Sequence, residues 1–97
     1  MSRALIERRL SESSDRLRDA RCELEVVDEQ LAHLQRDAEE ARLRSLVSET
    51  PLAEHEHRKA ARHADAMARQ RAVVLQEIER LERFQDELLD RLIASTR

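Results

Sequence analysis

The sequence predicts an all-α protein in which two long helices form an antiparallel coiled-coil hairpin. Three observations support this fold class. The 97 residues include no Gly, one Pro and one aromatic residue, which disfavours both tight turns and an aromatic globular core. Apolar residues recur at alternating intervals of four and three in both halves of the chain, as in the heptad repeat abcdefg of a coiled coil. The only helix-breaking residue, Pro51, lies near the middle.

Pro51 fixes where the chain turns. A proline cannot lie inside a helix but suits its first position, and Thr50 before it suits the N-cap. We therefore expect a single helical hairpin with these bounds: domain 1–97, helix 1 over about 3–47, turn 48–50 and helix 2 over about 51–94. The alternative is one continuous helix with a proline kink, pairing with a second chain in a parallel dimer.

The two heptad patterns also predict how the helices pair. Folding the chain about position 49 pairs residues whose numbers sum to 98, and every a or d position then faces another. Leu24 faces Val74, for example, which places two apolar side chains together. We call this line of a and d positions, Ile6–Ser45 in helix 1 and Ala53–Ser95 in helix 2, the seam.

Two polar features interrupt the seam. Ser13 faces Gln85, so that one polar residue meets another. Arg71 faces Val27, where a charge is costly unless the side chain reaches solvent. We therefore expect that replacing Arg71 by Leu stabilises the protein, by about 1 kcal/mol or more if the site is well enclosed. A loss of stability would instead indicate an ion-pair partner, with Asp28 or a residue of another subunit as the candidate.

The charge and the cysteine content limit the cellular compartment and the types of binding partner that we expect. The formal net charge is −3, and basic and acidic residues are mixed along the chain, which argues against a nucleic-acid interface. Cys22 is the only cysteine, as expected in a reducing compartment. The amino-terminal stretch is charged where a signal peptide is apolar, and no stretch approaches the roughly 20 apolar residues of a membrane span. We therefore expect a cytoplasmic protein that does not enter a membrane.

Helix 2 carries more apolar surface than helix 1 can cover. In an antiparallel pair the e positions of both helices lie along one flank; those of helix 1 are polar, and those of helix 2 are mostly apolar. Contiguous exposed apolar surface usually marks an interface, and we expect a homodimer in which helix 2 packs on helix 2 to form a four-helix bundle, together with an unidentified protein partner. The candidate interface residues are Ala61, Ala68, Ala72, Leu75, Phe84, Leu89 and Ile93. The alternative is that the aliphatic stems of Arg21 and Arg42 cover this flank.

The turn region offers a second candidate surface, the tip. Its residues are Leu43, Leu46, Val47, Glu49, Leu52, Glu54 and Glu56. The apolar members either close the end of the coiled coil or form an exposed knob flanked by glutamates. In shape the tip resembles the coiled-coil arm of Gre-type RNA polymerase secondary-channel factors, which place acidic residues at the tip. Here the glutamates are mixed with His, Arg and Lys.

No group of residues forms a catalytic or cofactor motif. Of the histidines and carboxylates close after the turn, Glu54 and His57 are a weak pair at the i,i+3 spacing that a helical metal site requires, so we expect no metal and no cofactor. We therefore predict a non-enzymatic interaction or adaptor module that acts through the helix 2 flank and the tip. The alternative is a transcription or translation accessory factor that inserts its tip into a larger machine such as RNA polymerase.

Overall fold

The protein consists of two long α-helices, and the computed structural model describes residues 1–96. Helix α1 spans Arg3–Ser48 and helix α2 spans Pro51–Ser95, with no strand in this range. The predicted fold class, an all-α helical hairpin, is confirmed. Each helix ends one residue beyond the position expected from the sequence.

Each helix begins at a hydroxyl cap. The Oγ atom of Ser2 accepts a hydrogen bond from the backbone N–H of Leu5 at 3.2 Å. The Oγ1 atom of Thr50 accepts one from the backbone N–H of Ala53 at 3.1 Å. These bonds satisfy N–H groups that have no carbonyl partner in a first helical turn. Pro51 occupies the first position of α2, where its missing N–H removes no helical hydrogen bond.

The turn is made without glycine. Glu49 has a φ of 50°, in the left-handed region that favours glycine and costs other residues roughly 1–2 kcal/mol. Its N–H donates to the carbonyl oxygen of Ser45 at 3.1 Å, which closes the last turn of α1. The chain thus leaves α1 at Glu49 and enters the capped start of α2 at once.

The helical pair divides into two compact halves. The end half consists of Met1–Leu24 together with the chain from Val74 onward, and the turn half is Glu25–Val73. Leu24 and Val74, which the predicted register pairs, lie in the same half, and so do Glu25 and Val73. The division therefore follows the register in which paired residue numbers sum to 98.

The end half has a closed apolar seam. Ile6, Leu17, Leu81 and Leu88 are each at most 2% exposed. The remaining buried apolar residues of this half are Ala20, Val74 and Ile78. Because each large aliphatic side chain contributes roughly 1.5–3 kcal/mol when fully buried, these layers are the main source of stability in the end half.

The turn half has a more open seam. Only Val27 and Ala41 are buried within it. Its half-buried seam positions include these apolar residues: Leu31, Leu34, Ala38, Ala53, Ala60, Ala64 and Met67. Three of the six seam positions that α2 contributes to this half are alanines. A methyl group covers little of a side chain across the seam, so Leu34, which faces Ala64, stays accessible to water.

Gln85 does not bond to Ser13, so the two polar residues that the register places face to face share no hydrogen bond. The Nε2 atom of Gln85 donates instead to the Oγ of Ser14 at 3.1 Å. Ser14 is exposed at an e position, so the long glutamine side chain can reach it while staying in contact with solvent. Ser13 is 3% exposed, and its Oγ has no hydrogen-bond partner among the described residues.

Ser13→Ala should therefore stabilise the protein. A buried hydroxyl without a partner carries its desolvation cost uncompensated, and removing it should raise the free energy of unfolding by about 1 kcal/mol. Urea denaturation followed by circular dichroism measures the change. The control is Ser14→Ala, which removes the acceptor of Gln85 and should give no gain. A clear loss of stability in Ser13→Ala would contradict the expectation.

Arg71 has an ion-pair partner on the other helix. Its Nε donates to Oδ1 of Asp28 at 2.6 Å, within the turn half. The Arg71 and Asp28 side chains are 39% and 47% exposed, so the guanidinium reaches from the seam towards solvent. The expected gain from Arg71→Leu assumed a charge without a partner, and that assumption is wrong.

Arg71→Leu should change the free energy of unfolding by less than about 1 kcal/mol in either direction. The new apolar contact with Val27 offsets the loss of a solvent-exposed ion pair, and such pairs contribute about 0.2–1 kcal/mol. A double-mutant cycle with Asp28→Ala, measured by urea denaturation, isolates the pair. A coupling energy well above 1 kcal/mol would show that the pair is more enclosed than its exposure indicates.

The register can be tested by crosslinking in the end half. In a Cys22→Ser background, Leu24→Cys with Val74→Cys should form a disulfide within one chain, because the register places these positions face to face. Non-reducing electrophoresis and mass spectrometry detect the product. The control pair Cys22 and Val74→Cys joins an outward f position to the seam and should not crosslink. Exclusively intermolecular products from the Leu24–Val74 pair would support a parallel dimer instead.

Candidate functional site

The tip exposes a cluster of large apolar side chains. Leu43 is 49% exposed, Leu46 60%, Val47 86% and Leu52 68%. Of the two interpretations left open by the sequence, closure of the coiled-coil end requires these side chains to cover the last seam layers. Their exposure instead favours a knob that faces solvent.

Charged groups border this cluster. Arg42 donates two hydrogen bonds to Glu39, at 2.7 and 3.0 Å. The hydrogen bond from Arg42 holds the pKa of the Glu39 carboxyl below its ordinary value. Glu54 lies 3.8 Å from the guanidinium of Arg58. The tip thus has an apolar centre and a charged rim, which is the usual arrangement of a protein interface.

Two glutamates of the tip remain free at the rim. Glu49 and Glu56 are exposed, and neither has an ion-pair partner within 4.0 Å among residues 1–96. Glu49 projects from the turn itself, whereas Glu56 belongs to the first turns of α2. Acidic residues near a helix N-terminus also interact favourably with the helix dipole, so Glu54 and Glu56 have a structural role as well.

In the end half, the flank of α2 is partly open. Leu75 is half-buried, Leu89 is 42% exposed and Ile93 is 53% exposed. Arg21, one of the two arginines expected to cover the flank, reaches across to α2 and lies 3.6 Å from Glu82, an e position of that flank. Arg21 therefore does reach the flank, while Leu89 and Ile93 remain largely exposed.

In the turn half, the same flank consists of small residues. Ala61 is half-buried, whereas Ala68 and Ala72 are exposed. Arg42, the second arginine expected to cover the flank, bonds to Glu39 on its own helix. Arg42 is therefore paired within α1, in contrast to Arg21, which reaches across to α2.

Phe84 lies on the other flank of its half. It occupies a g position, is 36% exposed and lines a shallow groove with Arg9, Ser13 and Arg16. It therefore does not extend the apolar surface formed by the e positions of α2. The sequence already indicated this, because Phe84 occupies a g position and the candidate interface is formed mainly by e positions.

Two exposed valines lie outside the candidate set. Val26 is 54% exposed and Val73 is 58% exposed, and both occupy c positions of the heptad. Their exposure could have been predicted from the sequence, because each is an apolar residue at a heptad position outside the seam. Each is a single side chain without large apolar neighbours on its own face, and scattered exposed residues of this kind are normal.

Residues 1–96 contain no group of three or more His, Cys, Asp or Glu side chains placed to hold a metal ion. Cys22 is exposed. No helix in the described part of the chain is both long and apolar enough to cross a membrane.

No protein-family model, curated protein or solved structure matches this chain.

Proposed function

We propose that this protein is a non-enzymatic coiled-coil module that binds other proteins through its tip and through the flank of α2. The observation that carries the proposal is the exposure of Leu46, Val47 and Leu52 at 60%, 86% and 68%. Each such side chain forgoes roughly 1.5–3 kcal/mol of burial while it stays in water. A partner with an apolar groove would recover this free energy on binding.

The hairpin prepares the tip for binding. Leu43, Leu46 and Val47 come from the end of α1, and Leu52 comes from the start of α2. The Thr50 cap and the left-handed turn at Glu49 fix where the two helices meet. A surface that is already ordered loses less conformational entropy on association, so more of its apolar burial becomes affinity.

The second candidate is an accessory factor that inserts its tip into a larger machine such as RNA polymerase. The observation that favours it is the pair of free carboxylates, Glu49 and Glu56, at the rim of the tip. The two candidates depend on different chemistry. Docking depends on the apolar side chains, and insertion of an acidic tip depends on the glutamates.

Substitution at the tip separates these candidates. Val47→Glu with Leu52→Glu should reduce partner binding by at least about tenfold, because two apolar contacts are replaced by charges that must be desolvated. The measurement is the yield of photo-crosslinked adducts from a benzophenone side chain at Leu46 in native cells, with the partner identified by mass spectrometry. Circular dichroism checks that the variant remains helical.

The matched control is Glu49→Gln with Glu56→Gln, which keeps the apolar cluster and removes two charges. Docking predicts that this control retains the adduct. An adduct that survives Val47→Glu with Leu52→Glu but disappears in the glutamine variant would overturn the docking proposal in favour of the accessory factor. The absence of any adduct from wild type would overturn both uses of the tip.

A further inference from the structure

We infer that the flank of α2 binds a second copy of this chain, with the two α2 helices antiparallel about a two-fold axis at Leu75. This homodimer rests on the proposed function, because it names the occupant of one of the two proposed surfaces. Three features of α2 support it: the distribution of charge along the helix, the free charges left by pairing within the chain, and the sizes of the flank residues.

Opposite charge is concentrated in two successive stretches of α2. The stretch 58–71 has five basic residues and one acidic residue, whereas 77–90 has six acidic residues and two basic ones. The two stretches are equally long and symmetric about position 74. A second α2 that runs antiparallel about this point would place each basic stretch against an acidic one, and a parallel α2 would place like charges together.

Ion pairs within the chain do not cancel this pattern. They use charges from both stretches: Arg58 with Glu54, Arg71 with Asp28, Glu77 with Arg16 and Arg80, and Glu82 with Arg21. The charges that remain exposed without an ion-pair partner among residues 1–96 are Lys59, Arg62, Asp65 and Arg69 in the first stretch, and Glu79, Arg83, Asp86, Glu87 and Asp90 in the second. The first set is mainly basic and the second mainly acidic.

The flank residues are also complementary in size. A two-fold axis at Leu75 places Leu75 against its own copy and Leu89 against Ala61 of the second copy. Leu89 is 42% exposed, and an alanine opposite leaves room for it. In the same register the f positions Arg62 and Asp90, each one residue after a member of the Ala61–Leu89 pair, lie on the same side of the interface, and both are exposed.

Self-complementarity about one point is what a two-fold interface requires, because each surface must fit its own copy. A different protein as the occupant would place no such requirement on α2. Here the centre of the charge pattern, at position 74, and the apolar residue Leu75 fall within one residue of each other. A second copy is therefore the occupant that the pattern fits best.

Charge reversal tests the pairing across the dimer. Wild type should be dimeric in sedimentation equilibrium at concentrations on the order of tens of micromolar. Arg62→Glu and Asp90→Arg should each raise the dimer dissociation constant by about tenfold, since each turns two attractive contacts into repulsive ones. The double variant should return to the wild-type constant. Arg36→Glu, an exposed f-position change on α1, is the matched control and should have no effect.

Disulfide formation tests the axis in a Cys22→Ser background. Leu75→Cys should crosslink to its own copy, whereas Ala61→Cys or Leu89→Cys alone should not. A mixture of Ala61→Cys and Leu89→Cys chains should give the mixed dimer. A parallel arrangement would instead join each cysteine to its own copy, and that result would overturn the inference.

A monomeric wild type, or a double charge reversal that fails to restore association, would also overturn the dimer. These outcomes are independent of the tip, because Val47→Glu with Leu52→Glu should remain dimeric while losing its crosslinked partner. Leu75→Glu with Leu89→Glu should be monomeric and still helical, since the seam is unchanged. Failure of the dimer and failure of tip docking can therefore be told apart.

Discussion

The register between the two seams is the constraint on which the rest of the structure depends. Each residue added to a helix rotates the following side chains by about 100°, so even a one-residue change in the turn would move the apolar residues of α2 away from those of α1. The left-handed conformation at Glu49 and the Thr50 cap set the turn length, and the chain tolerates the cost of a positive φ there. The same short turn brings Val47 and Leu52 together at the tip.

The seam of the end half contains larger aliphatic side chains than the seam of the turn half, so the two halves differ in how well they are packed. Four aliphatic side chains of the end half are at most 2% exposed, whereas the turn half buries only Val27 and Ala41. Segments with few buried apolar contacts open at lower free energy than a well-packed core. The tip belongs to the turn half, so it is supported by this more open seam together with the Thr50 cap and the Arg71–Asp28 pair. A binding partner would add the apolar contacts that this half lacks.

The heptad pattern was enough to predict most of the fold. All seam positions from Ile6 to Ser45 and from Ala53 to Leu92 are buried or half-buried. What it could not predict is which partner a long polar side chain selects, as with Gln85 on Ser14. Several acceptors lie within reach of such a side chain, and the differences among them are on the order of 1 kcal/mol. The exposure of the tip residues could not be predicted from the heptad pattern either, because residue spacing does not show whether side chains such as Leu46 fold back over the seam.

The two proposed surfaces are compatible because α2 begins at the tip. In an antiparallel dimer the two α2 helices run in opposite directions, so each tip adjoins the start of its own α2 and not the start of the other. Pairing through residues 58–90 leaves Val47 and Leu52 uncovered in both copies. Such a dimer would be bivalent, and two tips on one assembly can bind a multivalent target with an avidity above that of either tip alone. The charge segregation along α2 would then have a functional consequence, because a parallel dimer would place both tips at the same end.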